Sequence, residues 1–238
     1  MQRQIMSLGA VGVLALALGA RVGATGQAGP DPDPLSLKVP SYHIENASIT
    51  EALQKLKASA TGGTLVLTLE VAPFQSEPEK NLALSVKDST VKGVLDRIAA
   101  SDPRYTYYEF GGGLVHVLPV DADADPQDLL NTEVKMFTAS GIPYDRLLQY
   151  PDHYIPELGA ELARRRTAGG VTGSMLFSSG VASVTVKVTY GTVRSCLNQV
   201  SLEAAKVSKS EPVPKGWVYT FRIDKSDPLG GHPRWGLL

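Results

Sequence analysis

With one cysteine in 238 residues, Cys196, the chain cannot close an internal disulfide, so its stability has to come from apolar cores. Histidines are few as well. His43, His116, His153 and His232 have no metal-ligand partner at short spacing, and neither HExxH nor paired cysteines occur, which argues against a sequence-local zinc site. The nucleophile elbow G-x-S-x-G is missing too. No charge of one sign dominates: 23 basic residues stand against 24 acidic ones, for a formal net charge of −1. A partner rich in phosphate is therefore not expected, because nucleic-acid binding needs a basic face.

What is present begins with an export signal. Arg3 precedes an apolar run from Ile5 to Ala20, followed by small residues suited to cleavage after Ala24, the pattern of a secretory signal over residues 1–24. The run is short for a bilayer span and carries no charged stop. Periplasmic localisation without a membrane span after cleavage is the expectation. Cleavage removes Arg3 and Arg21, leaving 21 basic against 24 acidic residues and a net charge of −3.

Two stretches rich in Asp, Ala and Pro punctuate the remainder: 25–36, and 121–131 with its "DADADPQD". Neither has apolar periodicity, and both read as linkers. Asp121, Asp123 and Asp125 imitate the opening of a calcium loop. A helix–loop–helix site would need Gly and Glu where Pro126 and Thr132 stand, which weighs against it.

The strongest signal is a strand-to-helix phrase written three times. Setting Ser48, Thr90 and Thr192 together aligns Tyr42, Leu84 and Val186, then Ile44, Val86 and Val188, the alternation of half-buried strands. Helical stripes follow at i, i+3, i+4, i+7: Ile49, Ala52, Leu53, Leu56; Val91, Val94, Leu95, Ile98; Val193, Cys196, Leu197, Val200. Ser48 and Glu51 have capping-box spacing. A fourth unit, "FTASGIPYDRLLQYPDHYIPE", fits only with inserted residues, followed by a helix from about Pro156 to "AGG" at 168–170 and a strand candidate, "SMLF". The fold class expected is α+β: two small βαβ-repeat modules, 37–120 and 132–225, each with short helices on small mixed sheets, and a disordered tail at 226–238.

The first module, "YHIENASITEALQKLKASATGGTLVL" and then "LALSVKDSTVKGVLDRIAASDPRYTYYEFGGGLVHVLP", resembles the secretin and TonB-receptor short N-terminal domain over about residues 41–119. Ala52, Leu53, Leu56, Gly62, Val91, Leu95, Tyr105, Tyr107, Gly112 and Pro119 occupy that family's core and turn positions. The second module echoes it more weakly over 184–223. The resemblance implies a periplasmic protein-binding module whose partner is another envelope protein: a secretin, a receptor or a membrane-bound regulator component. Neither an outer-membrane β-domain nor a plug domain follows within the sequence.

Other motifs have plain structural readings. "STVK" from Ser89 reads as helix capping, "EFGGGLV" as a hairpin turn, "ARRR" at 163–166 as charges complementing a helix end, and Cys196 as buried packing. His43 and His116 alternate with apolar residues and are expected to face solvent. No catalytic residue, cofactor or metal is expected, and the leading reading is a binding or assembly module. The competing one is a small periplasmic hydrolase or ligand-binding enzyme assembled from sequence-remote residues. Binding by strand addition would use "YTYYEF" and "GWVYTFRI", with Tyr108, Thr220 and Arg222 on their outward faces, or a docking tail carrying Trp235, Leu237 and Leu238.

Overall fold

The computed structural model describes residues 33–71, 81–165, 182–207, 216–222 and 232–238. The signal segment 1–24, residues 25–32, the "SMLF" strand candidate, the helix end at 168–170 and residues 226–231 lie outside them. In chain order the elements are β1 (Lys38–Ala47), α1 (Ile49–Ser59), β2 (Val66–Val71), β3 (Leu82–Thr90), α2 (Val91–Ser101), β4 (Tyr105–Gly111) and β5 (Leu114–Pro119). There follow β6 (Glu133–Pro143), α3 (Tyr144–Gln149), α4 (Pro151–Tyr154), α5 (Pro156–Arg165), β7 (Ser183–Thr192), α6 (Val193–Val207), β8 (Trp217–Arg222) and β9 (His232–Leu237). The fold is α+β; among the described residues it is built on two two-stranded sheets, β1–β3 and β6–β7, and one five-stranded sheet ordered β4-β5-β2-β8-β9.

The helices start where side chains can satisfy their first amides. Ser48 Oγ accepts from the Glu51 amide while Glu51 Oε2 accepts from the Ser48 amide at 2.8 Å, closing the expected capping box. Thr192 and Ser195 exchange the same pair of bonds at the head of α6. In "STVK" the cap of α2 is Thr90, whose hydroxyl accepts from the Gly93 amide, rather than Ser89. All three predicted stripes are buried. They pack against β1–β3 in the first repeat and β6–β7 in the second.

Pairing register exposes a duplication deeper than the sequence phrase. In β1–β3, Lys38 faces Thr90, Ser41 faces Lys87 and Tyr42 faces Val86; in β6–β7, Glu133 faces Thr192, Met136 faces Thr189 and Phe137 faces Val188. The Val91 amide bonds the Leu37 carbonyl, and the Val193 amide bonds the Thr132 carbonyl in the same way. This corrects the reading of the fourth unit. Phe137 and Ala139 take the places of Tyr42 and Ile44, and Tyr144, Leu147 and Leu148 those of Ile49, Ala52 and Leu53, with no insertion. Two residues before each helix cap the backbone turns left-handed, at Asn46, Asp88, Gly141 and Tyr190. The fourth copy reads as degenerate because Pro151 falls where Leu56, Ile98 and Val200 lie in the others. Proline lacks an amide hydrogen and clashes with the preceding turn, so α3 stops at Gln149 and α4 starts afresh.

The region read as a linker at 121–131 is folded. It forms 3-10 turns at Ala122–Ala124 and Leu129–Asn131, buries Leu129 and Leu130, and is tied by Asn131 Nδ2 to the carbonyls of Ala122 and Asp125. The end of the 25–36 segment is likewise a short turn, Pro34–Ser36, capped by Asp33. Strand β8 of the second repeat pairs in parallel with β2 of the first, Leu69 opposite Val218. The two repeats accordingly share one five-stranded sheet.

Within the tail expected to be disordered, 226–238, the described residues from His232 onward form a strand instead. β9 pairs antiparallel with β8 from Trp217↔Leu237 to Arg222↔His232, in the arrangement that β4 and β5 adopt in the first repeat. Leu238 beyond it is buried in the core of the first repeat; its amide donates to the Gly216 carbonyl and its own carbonyl accepts from Lys57 Nζ at 2.8 Å. The variant Leu238→Ala should therefore lose roughly 2–3 kcal/mol in urea denaturation, the cost of emptying a leucine site in a packed core. An unchanged midpoint would mean that Leu238 is not seated there.

Candidate functional site

β2 is buried on both faces. Leu67, Leu69 and Val71 join the first core, while Thr68 and Glu70 on the opposite face lie under α6. A polar cluster forms there. His116 on β5 is directly across from Thr68 on β2 and from Tyr108 on β4, so the three side chains make one row across three strands. His116 Nδ1 lies 2.6 Å from Thr68 Oγ1, and its Nε2–H donates to Glu70 Oε1 at 2.8 Å. Tyr108 stands edge-on to the imidazole at 5.3 Å and Trp217 lies tilted over it at 5.1 Å. The indole N–H of Trp217 donates to Asn198 Oδ1 at 3.1 Å, and the Thr68 hydroxyl lies 3.2 Å from that same oxygen.

Arg194 joins this cluster to the connector between the repeats. Its guanidinium grips Glu70 through Nε and Nη2 and also donates to Asn131. It further pairs with Asp123 at 2.9 Å and Asp128 at 3.2 Å. Burial opposes the Glu70 charge, yet hydrogen bonds from His116 and Arg194 hold its carboxyl below the usual range. Burial likewise opposes the charge on Arg194, and the carboxylates around it raise its affinity for the proton all the same. Asp128 goes the other way: burial first, then the Glu70 charge, push its carboxyl up to about 6.

Thr68, His116 and Glu70 run in the order hydroxyl, imidazole, carboxylate, which is the order of a nucleophile relay. Enclosure decides against that use in the folded state. Thr68, His116 and Asn198 are each 0% exposed and Glu70 is 2% exposed, so no reacting atom can come within bonding distance of the hydroxyl unless α6 leaves. What the arrangement does as it stands is neutralise a buried carboxylate and fasten the second repeat to the first. Among the described residues no group of three or more His, Cys, Asp or Glu side chains could hold a metal ion.

The sequence expectation for His116 is corrected: it is buried. The residues of matching parity on β5 are Leu114 and Leu118, both buried, and a strand reading Leu-Val-His-Val-Leu is the near-continuous apolar run of a strand covered on both faces. That signal was available. His43, by contrast, is exposed beside Glu45, at 3.3 Å. Cys196 is buried, and burial pushes its thiol up to about 12, so it is not a ready thiolate. In "ARRR", Arg164 and Arg165 both hold Glu161, whose carboxyl is pushed down to about 2, while Arg166 lies outside the described residues.

The proposed binding residues fare unevenly. Tyr108 is on the edge strand β4 but half-buried against His116, and burial raises its hydroxyl to about 12. The Thr220 backbone pairs with Val71 on one side and Arg234 on the other, so β8 is an interior strand and "GWVYTFRI" offers no free edge. Arg222 pairs with His232 on the same ladder, and Trp235 and Leu237 pair with Tyr219 and Trp217. The side chains of Thr220, Arg222, Trp235 and Leu237 lie outside the described residues. Leu238 docks within its own chain. No helix among the described residues is long and apolar enough to cross a membrane. Comparison of the chain with protein-family models, curated proteins and solved structures gave no match.

Proposed function

We propose that the chain is an exported, non-enzymatic binding or assembly module that docks to another protein of the cell envelope, a secretin, a receptor or a membrane-bound regulator component. The observation that carries this reading is the edge strand β4. It ends the five-stranded sheet, and among the described residues no strand lies on its outer side. It contains no proline, and Thr106 and Glu109 are exposed along it. Edge amides and carbonyls of this kind accept an added strand, with neighbouring side chains supplying specificity. The order β1-α1-β2-β3-α2-β4-β5 is in keeping with the resemblance of residues 41–119 to the short N-terminal domain of secretins and TonB receptors.

A photo-crosslinking residue placed at 106 or 109 in the native cell should give an adduct with one envelope protein, and the same residue at exposed position 54 on α1 should not. Adducts of equal yield from all three positions, or none from 106 and 109, would remove β4 as the docking strand. The hydrolase reading is supported only by the order of Thr68, His116 and Glu70, and it requires α6 to withdraw.

A further inference from the structure

We propose that the cluster around Arg194 is an acid-strengthened latch between the two repeats: mild acidification tightens the fold by discharging Asp128, one of three carboxylates that share a single guanidinium. The geometry supplies the asymmetry. Arg194 is one cation within reach of Glu70, Asp123 and Asp128, and the three belong to different places: Glu70 to the first repeat, the two aspartates to the connector, Arg194 itself to the second repeat. Glu70 is fully engaged, with two guanidinium nitrogens and one imidazole N–H on its oxygens. Asp128 has only the longer contact to Arg194 and the Leu130 amide at 2.9 Å. Asp123 is 59% exposed and solvated by water, so of the two carboxylates taken out of water Asp128 is the one that the site neutralises less.

The groups around Asp128 all bear on the sign. Burial, the largest influence, favours its protonation, as do Glu70 from β2 and Asp125 from the connector; the Leu130 amide and Arg194 from α6 oppose it. Tyr219 on β8 and Tyr108 on β4 are held neutral by burial and the nearby carboxylates, and so add no charge. Arg165 on α5 also lies in the field that acts on Tyr219, and His116 stands behind Glu70. A carboxyl that binds its proton at about 6 in the folded chain and near 4 when unfolded adds stability as pH falls through 6, and the gain is complete below 4. Glu70 has the opposite sign. Its contribution is present above its ordinary value and is lost only as pH falls below that, so the two windows separate. Between pH 7 and pH 5 the Asp128 effect alone makes the folding equilibrium constant about tenfold larger.

The test is urea denaturation of the full chain at pH 7 and pH 5, at one salt concentration, for wild type and Asp128→Asn. Asparagine keeps an acceptor for the Leu130 amide and cannot titrate. Wild type should gain about tenfold in its folding constant on acidification, and Asp128→Asn should change less than about twofold. A wild-type constant that is flat or falls overturns the latch. So does a gain that survives in Asp128→Asn, including the case in which it disappears only in His116→Gln. Should Asp128→Asn not fold, carboxyl-carbon NMR of the wild type decides: a midpoint near 6 for Asp128 supports the proposal, and one at or below 4 overturns it.

Discussion

Arg194→Met should destabilise the protein by about 3–5 kcal/mol, close to the whole margin of many domains. Methionine matches much of the stem of arginine, so lost packing is a minor part of the expectation. The larger part is the charge left behind. Glu70 would keep only the imidazole N–H, at 2% exposure, where water cannot replace the two guanidinium contacts. The paired variant Glu70→Gln/Arg194→Met separates the causes. Its glutamine can still accept from His116, and no unpaired charge remains, so most of the lost stability should return. If Arg194→Met stays within about 1 kcal/mol of wild type in urea, the ion pair is worth no more than a surface one, and the cluster does not hold the repeats together.

A loss at least as large is expected from Gly216→Ala, upwards of about 4 kcal/mol, within the range that severe steric defects produce. A β-carbon at this position would run into the Leu67 carbonyl oxygen and lie 2.8 Å from its carbon. The obstruction is backbone and cannot rotate away. β8 would have to retreat from β2, breaking the parallel pairing that begins at Leu69↔Val218 and the bond between the Leu238 amide and the Gly216 carbonyl. Gly62→Ala is the control. Gly62 has φ +91° with open space around it, so alanine there meets only backbone strain, about 1–2 kcal/mol. Thermal denaturation should rank Gly216→Ala well below Gly62→Ala; equal midpoints would show that β8 does not approach β2 so closely.

The helix faces were legible because each stripe is local. Ile49, Ala52, Leu53 and Leu56 meet on one side of a single helix whatever the rest of the chain does, and the same holds for α2 and α6. The second buried side of α6 was not legible. Arg194, Asn198 and Ser201 have helical spacing too, and a polar stripe reads as a solvated face unless something covers it. Here β2 and β5 cover it. In the same way "VLTLEV" alternates Leu67 and Leu69 with Thr68 and Glu70, the pattern of a strand wet on one side. Its polar face is dry because a helix more than a hundred residues later in the chain lies over it.

The sequence by itself determined three copies of the repeat, the capping box that starts α1, the apolar faces the helices bury and the α+β class, since all of these depend on residues a few positions apart. Tertiary structure alone decided that the second repeat's β8 completes the first repeat's sheet, that 121–131 and 232–238 are structural, and that Glu70, His116 and Arg194 meet. Those outcomes depend on which surfaces face each other after folding. A buried carboxylate and the guanidinium that neutralises it, 124 positions apart, leave no local pattern, because electrostatic pairing constrains distance in space and not separation along the chain.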